Sequence, residues 1–327
     1  MNRFAKQLIP FCSLIFILSL WTFLVPNEFL TVTNLTHVFS RSSVNLIMAA
    51  GMTFVIITAG IDLSVGTMMG MCGMTGALAM LLFSGASLCD VGSGASIDLT
   101  NGAMLGGILV SIAVGAVVGG TNGTLITRLK LAPFIVTLGT MSICRGVSLL
   151  MNAGKPFAVS DFTLLDTGRI ADVPVSVLLL ALVLVITGFV LKYTRFGRYT
   201  YAIGSNVETA FHAGVNVNRV LVAIYALTGA LVGLAAMITT SRASSAQPTA
   251  GLALELDIIA AVIIGGCSPG GGRGTMVGTV IGTLLIGFLR NGLTLCGIST
   301  NWQLVAIGLI IILAVAVDQI VTRRNRR

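Results

Sequence analysis

Continuous apolar runs close to the width of a bilayer recur along this chain and leave it few ways to fold. An α-helix rises about 1.5 Å per residue, so about 20 residues cross a hydrocarbon layer roughly 30 Å thick. In lipid every backbone N–H and C=O needs an internal partner, which restricts spanning structures to helices and closed barrels. Barrel strands would read as alternating segments of about 10 residues, and none are visible here. Ten spans are expected, near 8–25, 43–60, 66–84, 103–127, 133–151, 173–191, 220–240, 255–268, 275–293 and 302–320. The eighth is short and runs into glycines. Charged residues make up only 9% of the 327, against about 25% in soluble domains. The expected fold is all-α, a polytopic integral membrane protein of about ten transmembrane helices forming a single domain over residues 1–327.

The first run, from Leu8 to Val25, follows Arg3 and Lys6 and has no small-x-small cleavage site behind it. It therefore reads as a membrane helix with a cytoplasmic N-terminus rather than a secretion signal. From there Lys and Arg set the sides. The cytoplasmic segments collect Arg3, Lys6, Arg128, Lys130, Lys192, Arg195, Arg198, Arg219, Arg273, Arg323, Arg324, Arg326 and Arg327, thirteen of the nineteen basic residues. The outer loops hold Glu28, Asp90, Asp98, Asp161, Asp166 and Asp172. Both termini are expected in the cytoplasm. The formal net charge of +8 is then a consequence of topology and implies no nucleic-acid partner.

Several site-like patterns fail on chemistry. The six cysteines (Cys12, Cys72, Cys89, Cys144, Cys267 and Cys296) have no C-x-x-C spacing, and His37 and His212 are far apart, so packing is expected and no metal site is. Gly266 to Gly270, "GCSPG", matches a nucleophile elbow around Ser268, but that motif needs a strand–turn–helix setting with His and acid partners. The glycine-rich stretch lacks the Lys-Ser/Thr ending of a phosphate-binding loop. No catalytic residue is assigned.

Small residues recur at helix-packing spacing in Gly66/Gly70, Gly115/Gly119/Gly123, Gly229/Gly233 and Gly274/Gly278/Gly282, where backbones can approach closely. "VIITAGIDLSVGTMMG" (55–70) is echoed by "VIIGGCSPGGGRGTMVG" (262–278), six spans later. An even number of spans preserves orientation, so a parallel internal repeat is expected, with both turns on the cytoplasmic side.

Asp62 is the only formally charged residue between Val44 and Phe83. An ionised carboxylate in hydrocarbon costs about 2.5–3.5 kcal/mol. Counted from Val44 it lies about 27 Å along the helix, at the far side of the layer. With Gly60 and Gly66 around it, the stretch reads as a tight turn in which Asp62 or Ser64 caps the next helix. Elsewhere the spans hold Arg145, Asp257 and Arg290 with Asn291, not a midplane chain of acids and histidines. That weighs against an ion-gradient-driven carrier of a small polar solute, the second reading. Asn45, Thr53, Asp62, Ser64, Asn122 and Gln247 are candidates for the translocation pathway or its gating, with helix–helix hydrogen bonding as the competing role.

Residues 192–219, "KYTRFGRYTYAIGSNVETAFHAGVNVNR", form the longest well-defined cytoplasmic segment. It reads as a helix end, a turn at Ile203–Asn206, and a short helix that Asn206 or Ser205 could cap, with Glu208 in its first turn. Together, "GMTFVIITAGIDLSVG", "RFGRYTYAIGSNVETAFHAGV" and "LELDIIAAVIIGGCSPGGGRGTMVGT" resemble the permease subunits of bacterial ABC importers for monosaccharides, the ribose, xylose, arabinose and allose systems among them. The resemblance covers about residues 30–320. It implies an inner-membrane permease working with a second permease copy or paralogue, a periplasmic sugar-binding protein and a cytoplasmic ATPase. ATP and Mg would be held by that ATPase, with no cofactor in this chain. It also implies that Gly204, Ser205, Asn206, Glu208, Thr209, Ala210 and Gly214 belong to the coupling segment that docks into the ATPase.

Overall fold

The computed structural model describes residues 3–85, 99–170 and 173–310, with side chains from Phe11 onward except at Thr167 and Ile170. Cys89, Asp90, Asp98, Asp172, the four C-terminal arginines and the second half of the tenth expected span lie outside the described residues, as do the side chains of Arg3 and Lys6. The described residues are mostly helical. The order is α1 (Arg3–Leu24), α2 (Val32–Ile57), α3 (Val65–Phe83), α4 (Asn101–Arg128), α5 (Pro133–Leu150), α6 (Leu164–Thr167), α7 (Val175–Tyr193), α8 (Arg195–Ser205), α9 (Val207–His212), α10 (Val217–Ala243), α11 (Leu254–Ile264) and α12 (Met276–Leu295), then α13 (Thr300–Ile310). Four two-residue strands, β1 (Phe157–Ala158), β2 (Arg169–Ile170), β3 (Val173–Pro174) and β4 (Ser245–Ala246), pair antiparallel as β1–β4 and β2–β3.

Polar residues start the long helices: α4, α10 and α12 begin within three residues of the expected spans, whereas α2 begins at Val32, ahead of the expected 43, because its first turns carry the polar His37 and Arg41 that broke the apolar run. Thr31 accepts the Asn34 N–H, Thr100 that of Ala103, Asn216 that of Arg219 and Thr275 that of Gly278, each satisfying an amide the helix leaves open. Pro133 opens α5 from a position that needs no donor. Seven helices among the described residues, α2, α3, α4, α5, α7, α10 and α12, are long and apolar enough to cross a membrane, while Phe11–Leu24 and α13 are apolar but shorter. The expected span at 255–268 is not one. It is the 11-residue α11, about 16 Å long, which ends at Gly265–Gly266 before it could cross. Its apolar run continues into a glycine turn.

α2 from Ser42 onward and α3 are buried almost throughout, whereas α4, α5 and α7 bury one stripe each and face outward elsewhere. The stripe of α4 is Ala103, Gly107, Ser111, Gly115, Gly119, Asn122 and Gly123, nearly all small. It packs backbone to backbone on α10. Methyl groups added at Gly115 or Gly119 would overlap the carbonyls of Gly229 and Tyr225, and one at Gly229 would overlap that of Gly115. The Ser111 hydroxyl donates to the Gly233 carbonyl across the same seam, 2.9 Å. Close approach replaces the hydrophobic drive that lipid cannot supply between helices. Gly278 and Gly282 fit against Gly265 and Ala261 in the same manner, and Gly66 and Gly70 against the 248–255 segment.

The two ends of the bundle differ chemically. At one end the α2–α3 turn, α8 and the 267–275 turn meet: the Gly272 N–H donates to the Ile57 carbonyl, 2.8 Å, and the Tyr201 hydroxyl to the Gly274 carbonyl, 2.8 Å. The two echoed turns thus share an end and touch. The β1–β4 ribbon, the α6 turn and the Arg242–Asp166 ion pair, 2.9 Å, lie at the other.

Candidate functional site

Between α2 and α3 the chain turns at 58–64, and Asp62 lies inside it, fully buried. Its Oδ1 accepts the Ser64 N–H at 2.9 Å and the Ser64 hydroxyl at 2.5 Å. Asn122 Nδ2 donates to Ser64 Oγ, 3.1 Å, and Thr140 donates to Asn122 Oδ1, 2.5 Å. Donors therefore run from α5 through α4 to one carboxylate, each bond polarising the next. Three of the sequence candidates, Asp62, Ser64 and Asn122, form one network. Thr140 was missed; a threonine in an apolar helix gives no signal until its neighbour is known.

The capping expectation is corrected. Ser64 occupies the N-cap of α3 but makes no side-chain cap bond, because its hydroxyl is committed to Asp62 and Asn122. Asp62 instead closes a local turn onto Ser64. Burial pushes its carboxyl above the usual range, and the Ser64 bonds oppose that rise. Asp62→Asn keeps an acceptor for Ser64 and should fold to near the wild-type yield. Asp62→Leu leaves two buried donors unpaired, costing about 1–3 kcal/mol each, and should lose most folded protein. Wild-type stability from this group is fullest below an unfolded pKa of about 3.9 and fades as pH rises through the raised folded value. Melting curves of wild type and Asp62→Asn should therefore diverge in favour of Asn as pH rises through that interval.

Thr53 and Thr279 share a buried 2.6 Å hydrogen bond between α2 and α12. Asn45 lies farther along α2, on the wall of a cavity at the opposite end from α8. Gln247 is exposed beside β4 and donates to Ser245 Oγ, 3.0 Å. Asp257 and Arg290, noted separately in the sequence, pair at 2.6 Å. They are 33 residues apart, which hides the pairing from sequence reading.

The segment 192–219 folds as two helices. Thr194 accepts the Gly197 N–H to start α8. Asn206, extended at φ −165°, accepts the Thr209 N–H at 2.9 Å to start α9, and Glu208 lies in its first turn as expected. Ala210 is buried against the bundle, while Val207, Glu208, Thr209, Phe211 and His212 are exposed. Gly214, at φ +83°, turns the chain back toward α10. Gly204 permits the closest contact, since a methyl there would overlap the Ile57 carbonyl, and Ser205 packs on Gly272. The exposed face of α9 is thereby tied to the ends of α2 and α12.

The model of the family described as "Branched-chain amino acid transport system / permease component" matches residues 34–315. The chain is 39% identical over 323 residues to the ribose import permease protein of Haemophilus influenzae, covering 97% of this chain and 94% of that one. It is 42% identical over 318 residues to the ribose import permease protein of Bacillus subtilis, covering 96% and 93%. The D-allose transport system permease protein of Escherichia coli is 38% identical over 315 residues, covering 96% and 91%. No solved structure matches. A family match over residues 34–315, which takes in the seven membrane-length helices of the described residues but for the first two residues of α2, makes this chain a multi-pass membrane protein belonging to that family of transport-system permease components.

Proposed function

We propose that this chain is the membrane-spanning subunit of an ATP-driven importer that moves a monosaccharide, ribose or a related sugar, across the bacterial inner membrane. What carries the reading is the near-full-length identity with permeases whose names specify ribose and allose. The charge pattern supports a cytoplasmic location for both termini and for α8, α9 and the 267–275 turn. The exposed α9 is then the docking element for a separate ATPase, which holds ATP and Mg. A sugar-binding protein delivers cargo at the other end, and a second permease copy or paralogue completes the membrane unit. ATP binding in the partner would bias one of two helix packings, and a rigid α9 would pass that closure on as rigid-body movement.

The test is uptake of radiolabelled ribose into proteoliposomes containing the complete transporter. Uptake should require ATP on the ATPase side and survive an uncoupler. Uptake that ignores ATP and collapses with the uncoupler would instead establish a gradient-driven carrier.

A further inference from the structure

A cavity of about 800 Å³ opens at the end of the bundle opposite α9, between α2, α11, α12 and the stretch 297–303 that leads into α13. Asn45, Asp257, Arg290, Asn291 and Gln303 are among its lining residues. Asp257 is buried and accepts from Arg290 Nη2 at 2.6 Å. The neighbouring Arg290 Nε is buried without a partner among the described residues, a costly state for an N–H donor and one that a ligand oxygen would relieve. Farther along the same seam the Thr53–Thr279 bond joins α2 to α12.

A carboxylate beside a guanidinium offers an acceptor and donors within one ligand's reach, and the Asn45 amide on the wall adds both kinds, whereas Asn291 is paired with Asn34 and the Gln303 amide nitrogen donates to Thr294 and the Ile298 carbonyl. Two adjacent hydroxyls of a sugar, each a donor and an acceptor, fit that set. We propose that this cavity is the subsite where an incoming monosaccharide first meets the membrane subunit, gripped by Asp257 and Arg290 and oriented by Asn45. The proposal rests on the sugar-import reading. An anionic lipid headgroup is the competing occupant, since His37 and Arg41 also line the cavity. It fits less well, because the charge of Arg290 is already met by Asp257 and a phosphate would lie against that carboxylate.

The test uses the complete transporter in proteoliposomes with radiolabelled ribose. The Asn45 side chain makes no hydrogen bond among the described residues, so Asn45→Ala breaks no internal hydrogen bond; it should lower maximal uptake about threefold with ATPase turnover retained. Asp257→Asn, which preserves shape and can still accept from Arg290, should lower it about tenfold. Wild-type uptake rates in both variants, at equal membrane abundance, overturn the subsite while leaving the import reading intact. So does an Arg290→Gln protein that loses co-purified phosphatidylglycerol yet takes up ribose normally. A wild-type transporter that moves no ribose or other monosaccharide overturns the import reading and the subsite with it.

Discussion

Gly229→Leu should remove most of the folded protein from the membrane. The Gly229 position faces Gly115 so closely that even a methyl group would overlap the Gly115 carbonyl, and the reverse holds at Gly115. Ordinary core overpacking costs about 1–3 kcal/mol because side chains can shift. Here the overlapped atoms are backbone on two helices of 28 and 27 residues, so relief requires separating α4 from α10. Separation would also break the Ser111–Gly233 bond one turn away, and native stabilities are only about 5–15 kcal/mol. The measurement is yield and elution profile of detergent-extracted protein. Gly139→Leu is the control, since nothing approaches a Cβ at that position on α5. A monodisperse, wild-type yield of Gly229→Leu would show that the α4–α10 seam does not hold the bundle together.

That seam was legible in the sequence because close helix packing in lipid demands small residues, and Gly115, Gly119, Gly123, Gly229 and Gly233 stand at the right spacing. Which helices they join was not legible: spacing describes one helix surface, and pairing is a property of two. Hydropathy likewise located most spans but misread α11. An apolar run of adequate composition looks like a membrane helix until Gly265 and Gly266 (φ +93°) end it. The turn at Asp62 followed from its glycines and its depth along α2. The direction of its hydrogen bonds did not, because Ser64 could either cap α3 or serve Asp62, and the choice is made by Asn122, 58 residues later. Asn206 as a cap was readable because that bond is local. Arg290 could not be matched to Asp257 on the same ground in reverse, since their meeting depends on α11 folding back along α12.

On the proposed docking of the ATPase at α9, docking and transmission should separate at opposite faces of the 192–219 segment. Phe211 is 67% exposed on a helix whose opposite side, at Ala210, is 3% exposed. A large aromatic held out from a capped, anchored turn is the kind of residue that dominates a protein interface. Phe211→Asp should abolish co-purification of the ATPase and reduce uptake more than about tenfold while the protein remains inserted at normal abundance; Glu208→Lys, in the first turn of the same exposed helix, should weaken association in the same direction. Gly204 faces the other way, against the Ile57 carbonyl and the Gly272 amide, where any side chain forces α8 off the ends of α2 and α12. Gly204→Val should leave the docking face unaltered and retain the ATPase, yet lose uptake to a similar extent, because partner closure no longer reaches the helices that must move. Association is read by pull-down and transport by ATP-dependent uptake in the same preparations. If Phe211→Asp retains the ATPase, docking lies elsewhere. If Gly204→Val transports normally, the contact at Ile57 is a packing detail and force passes by another route.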